Sequence, residues 1–286
     1  MIVDTLALVG TGLIGGSFAL ALKQAGAVRE VLGVGRNAAS LELARQHGLI
    51  DRAVDWVEAG RADCILLALP VGETEAVLKK LAPHLKARAI VTDAGSAKAN
   101  VVAAARTALG VRCADFVPGH PIAGSEQSGP AAARADLYRG RKVVLTPQTD
   151  TRADALATVR ALWEAAGAQV ETLDAGLHDR VFAAVSHLPH LAAFALVDEL
   201  AQRADSEVFF RFAASGFRDF TRIAGSSPEM WRDIALANRE ALTTELDAYL
   251  GALQALRQAV AAGDAATLLE IFSRASAARE QWTMDS

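Results

Sequence analysis

The chain alternates two hydrophobic rhythms in its first part and keeps one in its second. Short β-branched or apolar runs at 2–9, 31–34, 64–69, 89–92, 143–146 and 170–173 read as strands. The run 64–69 is apolar without interruption, as expected of a strand buried on both faces of a parallel sheet. Helical spacing marks 13–25 and 39–46. Strand alternating with helix implies βαβ units and an open parallel sheet with helices on both faces. From about residue 174 the strand signals stop. Leu242, Leu246, Leu250, Leu253 and Leu256 recur at threes and fours and mark one helix face. Gly263-Asp264 ends that helix and caps the next, where Leu268, Leu269 and Phe272 repeat the period. The fold class is therefore α/β: a parallel-sheet domain over 1–173 followed by an all-helical domain over 174–286, with the boundary at Asp174-Ala175-Gly176.

Outside the glycine-interrupted N-terminal segment, the stretch 181–197 is the longest uncharged apolar run and the one worth testing as a membrane span. It carries Ser186, His187, Pro189 and His190, and falls short of the roughly 18 to 20 clean residues that a membrane span needs. It reads as a buried helix with functional polar groups. Hydrophobic residues make up 52% of the 286 and charged residues 22%, which supplies a sizeable core and excludes a disordered tail. The net charge of −4, from 29 basic and 33 acidic residues, excludes nucleic-acid binding through a broad basic face. An anionic ligand would need a local basic pocket. Cys64 and Cys113 form no CxxC pair, so neither a disulfide scaffold nor a cysteine-rich metal site is expected. The N-terminus lacks a basic n-region, and Gly10, Gly12, Gly15 and Gly16 interrupt any signal-type apolar core. A cytoplasmic, non-membrane protein is expected.

Gly10-Thr11-Gly12-Leu13-Ile14-Gly15 fits G-x-G-x-x-G, between a predicted strand and a predicted helix. That context is what gives the motif weight. The first glycine permits the tight turn, the second lets the backbone approach a pyrophosphate, and the third lets helix and strand pack closely. The N–H groups that open the helix, at Leu13, Ile14 and Gly15, face the anion. The first domain is thus of Rossmann type. The second strand ends in Gly33-Val34-Gly35-Arg36, with Gly35 where an NAD site usually places a ribose-binding acid. A carboxylate would repel a 2′-phosphate, whereas Arg36 can pair with it. NADP is the expected cofactor, with NAD as the second choice; a solvated surface arginine is the plainer alternative.

Among the six histidines, His47 and His84 sit at a helix end and in a polar connection. His120 lies in Pro118-Gly119-His120-Pro121, which reads as a rigid loop; composition alone leaves a structural role equally open. His187 and His190, three apart, can share a helix face. Without placed carboxylates they do not make a metal site, and they too can be satisfied polar groups. Ser96 follows a predicted strand, at the carboxyl end of the sheet where ligands bind. Arg222 sits in an apolar segment and calls for an anionic partner, of which Asp219 is one candidate.

These features together resemble the bacterial prephenate dehydrogenases, a family that includes cyclohexadienyl and arogenate dehydrogenases. The markers are Gly10-x-Gly12-Leu13-Ile14-Gly15-Gly16-Ser17, Asp93-Ala94-Gly95-Ser96-x-Lys98, and Gly119-His120-Pro121-Ile122-Ala123-Gly124-Ser125-Glu126-x-Ser128-Gly129. The helical half adds Ser186-His187-Leu188-Pro189-His190, Asp219-Phe220-Thr221-Arg222-Ile223-Ala224 and Met230-Trp231-Arg232-Asp233. The resemblance implies oxidative decarboxylation of prephenate or arogenate, and a homodimer formed through the helical domain. It implies that His120 accepts the C4-hydroxyl proton, that Ser96 hydrogen-bonds both that hydroxyl and His120 and lines the cofactor, and that His190 and Arg222 bind substrate with His187 beside them. The chain departs from some members of that family: it ends at Ser286, so no C-terminal regulatory ACT domain is expected, and its first strand begins at the N-terminus, so no fused chorismate mutase is expected; any feedback by tyrosine would then act at the active site.

Two other readings share some of these residues. A β-hydroxyacid or 6-phosphogluconate-type dehydrogenase would use Lys98 with Asn100 but leave His120 idle. A redox sensor that holds NADP without turnover would need the glycine turn but not His120, Ser96 and Arg222 together.

Overall fold

The structure is a computed structural model that describes residues 1–124 and 127–284. Ser125 and Glu126, at the end of the third motif, lie outside the described residues. The first strands and helices follow the alternation: β1 (Val3–Val9), α1 (Leu13–Gln24), β2 (Val28–Val34), α2 (Ala38–Gln46), β3 (Arg52–Ala53), α3 (Trp56–Ala59), β4 (Cys64–Leu67), α4 (Thr74–Leu81), β5 (Ile90–Asp93), α5 (Ala99–Leu109) and β6 (Phe116–Val117). All six strands are parallel, in the order β3-β2-β1-β4-β5-β6. The order reverses between β1 and β4, which opens a crevice at their carboxyl ends. Both sheet faces are covered, as the uninterrupted apolar strands require. Phe18 and Leu22 of α1 pack on one face with Tyr138 and Trp163. Leu78 of α4 and Val101 of α5 pack on the other.

The strands expected to extend this sheet do not join it. β7 (Gly119–Pro121), β8 (Lys142–Leu145) and β9 (Gln169–Thr172) form a separate three-stranded sheet, with α6 (Ala153–Ala165) between β8 and β9. β8 runs parallel to β9 and antiparallel to β7, so that His120 stands opposite Val144. An apolar run announces a strand but not its neighbour, and β7 is too short and too rich in Gly and Pro to announce itself. His120 is therefore on a strand rather than in a loop.

Asp174 opens the helical part by accepting the Gly176 and Leu177 amides, at 2.9 and 3.0 Å. α7 (Ala175–Phe182), a π turn (Ala183–His187) and α8 (Leu188–Ala201) form one continuous helix. α9 (Ser206–Arg211), α10 (Ser215–Thr221), a 3₁₀ turn (Arg222–Gly225) and α11 (Pro228–Ala237) follow. The buried helix expected over 181–197 is buried along one edge only, at Phe182, Ala183, His187 and Ala193. Val185 is 67% exposed. By length and composition 175–201 would pass for a membrane span. The polar side chains on its buried edge, His178, Asp179 and His187, instead have partners elsewhere in the chain.

The chain divides into two compact units, Met1–Arg239 and Glu240–Ser286. The second is built from α12 (Arg239–Ala262) and α13 (Ala265–Met284). Between them Gly263 takes φ +66°, and Asp264 accepts the Thr267 amide at 3.1 Å, the break and cap that the sequence predicts.

Candidate active site

The glycine turn is shaped for an anion. Gly10 has φ +98°, and a Cβ there would stand 2.1 Å from the Ala68 carbonyl oxygen; one on Gly15 would stand 2.3 Å from that of Gly10. Both positions therefore exclude a side chain. A Cβ on Gly12 would meet nothing within 4 Å, so this backbone lies open toward the crevice. Gly12 is also the N-cap of α1 and supplies no side-chain cap. The Leu13, Ile14 and Gly15 amides at the positive end of the helix dipole are thus available to a pyrophosphate. These residues fit a nicotinamide dinucleotide. Arg36, two residues beyond β2, is 81% exposed and pairs at 2.8 Å with Glu73, just after β4. Both ends of that pair flank β1 at the switch point.

The second and third motifs meet in space. The Asp93 carboxylate, at the end of β5, accepts the Gly95 amide at 2.8 Å and the Gly119 amide at 3.0 Å. Lys98 Nζ is hydrogen-bonded to the same carboxylate and donates to the Gly119 carbonyl at 2.7 Å. Gly119 is held through both of its backbone polar groups, which fixes where His120 begins. Lys98 is fully buried in this clamp, so the acid–base role that a hydroxyacid dehydrogenase would give it has no support in its surroundings. Ser96, between Gly95 and Lys98, is half-buried, and its hydroxyl makes no hydrogen bond among the described residues, including to His120.

His120 is 9% exposed, and its Nδ1 lies 2.9 Å from Nε2 of His178. Nδ1 of His178 lies 2.8 Å from Oδ1 of Asp179. The Asp179 carboxylate accepts the amides of Lys98 and Ala99, both at 2.8 Å, at the N-terminus of α5. The Phe182 ring packs against both imidazoles, with centroids 4.8 and 4.5 Å away. Burial, then the neighbouring His178, Lys98 and His187, push the His120 pKa well below the ordinary histidine value. Burial also lowers His178, against the pull of Asp179.

His187 and His190 do share a face, organised around Trp231. The His190 ring stacks on the Trp231 indole at 3.6 Å with planes 22° apart; the His187 ring meets it edge-on at 6.0 Å. His190 donates its Nδ1–H to the Ser186 carbonyl at 2.9 Å. Asn238 donates to the Asp179 carbonyl at 2.8 Å and to Nδ1 of His187 at 3.1 Å. That leaves the His187 proton on Nε2, a buried donor without a hydrogen-bond partner among the described residues. Burial pushes the His187 pKa down to about 4. Burial lowers His190 too, and the nearby charge of Arg222, exposed on the 3₁₀ turn, adds to the shift. All these imidazoles are neutral at pH 7, so Arg222 is the cation of this cluster.

Sequence reasoning missed His178, Asp179 and Asn238, gave Trp231 no role, and gave Lys98 one only under the hydroxyacid-dehydrogenase reading. A His-Asp pair in the first turns of a helix reads as a solvated end. The π turn also hides its partnership with His187. At about 100° per residue, nine steps would place His187 on the far side of the helix from His178. The π turn takes in one extra residue and brings His187 back round. Among the described residues no cluster of His, Cys, Asp or Glu could hold a metal ion.

A sheet in this order, an open glycine turn at its switch point and a buried neutral histidine near its carboxyl ends define a nicotinamide-dinucleotide dehydrogenase. Two family profiles match the chain: the prephenate dehydrogenase nucleotide-binding domain over 18–172 and the prephenate dehydrogenase dimerization domain over 174–274. The chain belongs to the prephenate dehydrogenase family and is an NAD(P)-dependent oxidoreductase. It is 36% identical to the cyclohexadienyl dehydrogenase of Zymomonas mobilis over 96% of this chain and 94% of that one. It is 37% identical to the prephenate dehydrogenase of Bacillus subtilis over 97% of this chain and 76% of that one. Among solved structures it is similar to the Aquifex aeolicus prephenate dehydrogenase bound to hydroxyphenyl propionate and NAD⁺. There the TM-score is 0.91 and the identity 38%, over 97% of this chain and 98% of that one. The Synechocystis arogenate dehydrogenase gives 0.82 at 31% identity, over 97% and 99%.

Proposed function

We propose that this chain oxidatively decarboxylates prephenate, arogenate or both, to 4-hydroxyphenylpyruvate or tyrosine, with NADP⁺ preferred over NAD⁺. The observation that carries the reading is His120, buried and kept neutral beside the carboxyl ends of the sheet. His120 accepts the proton of the C4 hydroxyl. The bound dinucleotide supplies the hydride acceptor for C4. Once CO₂ has left C1, the ring oxygen carries the displaced electrons, and His120 returns its proton there, so the base ends as it began. Ser96 orients the hydroxyl and lines the cofactor. Arg222 pairs with a substrate carboxylate, His187 offers its unpartnered Nε2–H, and His190 contributes from its stack on Trp231. Gly10, Gly12, Leu13, Ile14 and Gly15 hold the pyrophosphate. Residues 1–173 bind cofactor, and 174–286 bind substrate and dimerise. The buried free thiols Cys64 and Cys113 suit a reducing cytoplasm.

Steady-state rates with prephenate and arogenate, each with NADP⁺ and NAD⁺, test the reading; no turnover in any combination overturns it. NADP⁺ is expected to give the higher kcat/KM, because Gly35 presents no carboxylate to repel the 2′-phosphate and the exposed Arg36, paired with Glu73, can exchange that partner for it. Arg36→Ala is expected to lower kcat/KM for NADP⁺ about 10-fold, the low end for a charge-assisted contact because the side chain is so exposed. Preference for NAD⁺ with no effect of Arg36→Ala would show that Arg36 reads no phosphate.

Apolar side chains are exposed on each unit, Val185 and Phe212 on the first and Leu250, Val260 and Phe272 on the second. A homodimer through the helical part covers such surface. Light scattering is expected to give near twice the 30.0 kDa of one chain; a monomer at micromolar concentration would exclude it.

A further inference from the structure

The chain from His120 through His178 to Asp179 admits one consistent placement of protons. Burial opposes the charge of Asp179, but the His178 bond and the Ala99 and Lys98 amides hold its pKa below the usual carboxylate value. An ionised carboxylate only accepts hydrogen bonds, so the 2.8 Å contact requires the proton on Nδ1 of His178. A neutral His178 then has its lone pair on Nε2. The 2.9 Å contact with that atom requires Nδ1 of His120 to be the donor. The lone pair of His120 is left on Nε2. Phe182 packs against both rings and resists a flip of either. The remaining titratable or charged groups around the pair, Lys98, Asp93 and His187, are themselves engaged by hydrogen bonds.

We propose that His178 and Asp179 are positioning residues that set the tautomer of His120 and present its Nε2 as the proton acceptor. The proposal rests on the proposed role of His120 as the base. During the reaction the O–H bond of the C4 hydroxyl breaks as an N–H bond forms at His120 Nε2, and the C4–H electron pair leaves as hydride. His178 keeps its Nδ1 proton and Asp179 stays ionised throughout. The imidazolium donates more strongly through Nδ1–H to His178, whose own N–H points at a fixed negative charge. The anchor of that charge is the N-terminus of α5, so the same helix that carries the Lys98 clamp at its start also fixes the far end of the chain.

Two substitutions separate positioning from packing. His178→Leu fills the space but offers no acceptor. It is expected to lower kcat about 10² to 10³-fold with substrate KM little changed, somewhat less than loss of an orienting aspartate costs a serine protease. The acid limb of its kcat–pH profile is expected to move, because the group that faces Nδ1 of His120 is gone. His178→Gln offers an amide oxygen to the Nδ1–H and is expected to remain within about 10-fold of wild type, as the conservative rescue. The tautomer is read directly by ¹⁵N NMR of the full chain labelled at histidine, with His120 assigned by the signal lost in His120→Asn. Nδ1–H is expected in the wild type and in His178→Gln, and a population of Nε2–H in His178→Leu. An Nε2–H tautomer in the wild type overturns the proposal, as does a His178→Leu enzyme with wild-type kcat and an unmoved acid limb. If His178→Leu fails to fold, the wild-type tautomer and the His178→Gln rates decide it. Retention of activity by His120→Asn would overturn the role of His120 as base but leave the tautomer measurement standing.

Discussion

His120→Asn is expected to lower kcat by about 10² to 10⁴-fold, the usual range for loss of a general base, with the KM for the ring substrate near the wild-type value. Asparagine keeps the approximate size and a hydrogen-bonding group, so the pocket that binds the substrate survives, but it cannot take up a proton. The burial that makes His120 a neutral base also fixes the sign of the pH dependence. As pH falls through the pKa of His120, protonation removes the acceptor and kcat falls. Because burial and the neighbouring His178, Lys98 and His187 push that pKa well below its ordinary value, the acid limb belongs below about 6.5, the histidine reference. The limb should vanish in His120→Asn. Circular dichroism must first show a native spectrum; the substitution opens no large apolar cavity, so one is expected. A variant that keeps most of kcat with the wild-type pH profile would remove His120 from the chemistry.

The parts of the site legible in the sequence are those whose chemistry is local. Gly10, Gly12 and Gly15 announce a turn because the backbone there has its own requirement, seen in φ +98° at Gly10 and in the carbonyl oxygens that crowd positions 10 and 15. The parallel strands β1, β2, β4 and β5 announce themselves because both of their faces are covered. What pattern reading could not supply is pairing across distance. Nothing along the chain says that β8 leaves the large sheet to pair with the short strand bearing His120, or that Asp93 and Lys98 hold the backbone at Gly119. His178 and Asp179 are adjacent in sequence to nothing that marks them. Their role exists only because the α5 N-terminus is brought to the Asp179 carboxylate and the β7 strand to His178. The π turn is a second case: a helix period read through 178–190 assigns His187 to the wrong side.

Lys98→Met is expected to destabilise the fold by about 3–5 kcal/mol, the cost of stranding one partner of a buried ion pair. The two side chains are 0% and 3% exposed, so water cannot replace the lost ammonium at Asp93. Methionine fills much of the space of the lysine stem, which keeps a cavity from accounting for the loss. The Asp93 carboxylate would keep only the Gly95 and Gly119 amides, and the Gly119 carbonyl would lose its donor. Both effects fall on the strand that carries His120, so kcat is expected to fall along with stability even in the fraction that folds. Thermal unfolding should show the midpoint lowered by about 6 to 20 °C, at roughly 2–4 °C per kcal/mol for a chain of this size. Lys79→Met, which breaks an exposed pair with Glu75, is the control and should hardly move it. Combining Lys98→Met with Asp93→Asn removes the stranded charge and should recover part of the loss, which a packing defect would not allow. A Lys98→Met protein that melts with the wild type would show that the clamp carries no stability, and that Gly119 is placed by the β7–β8 pairing alone.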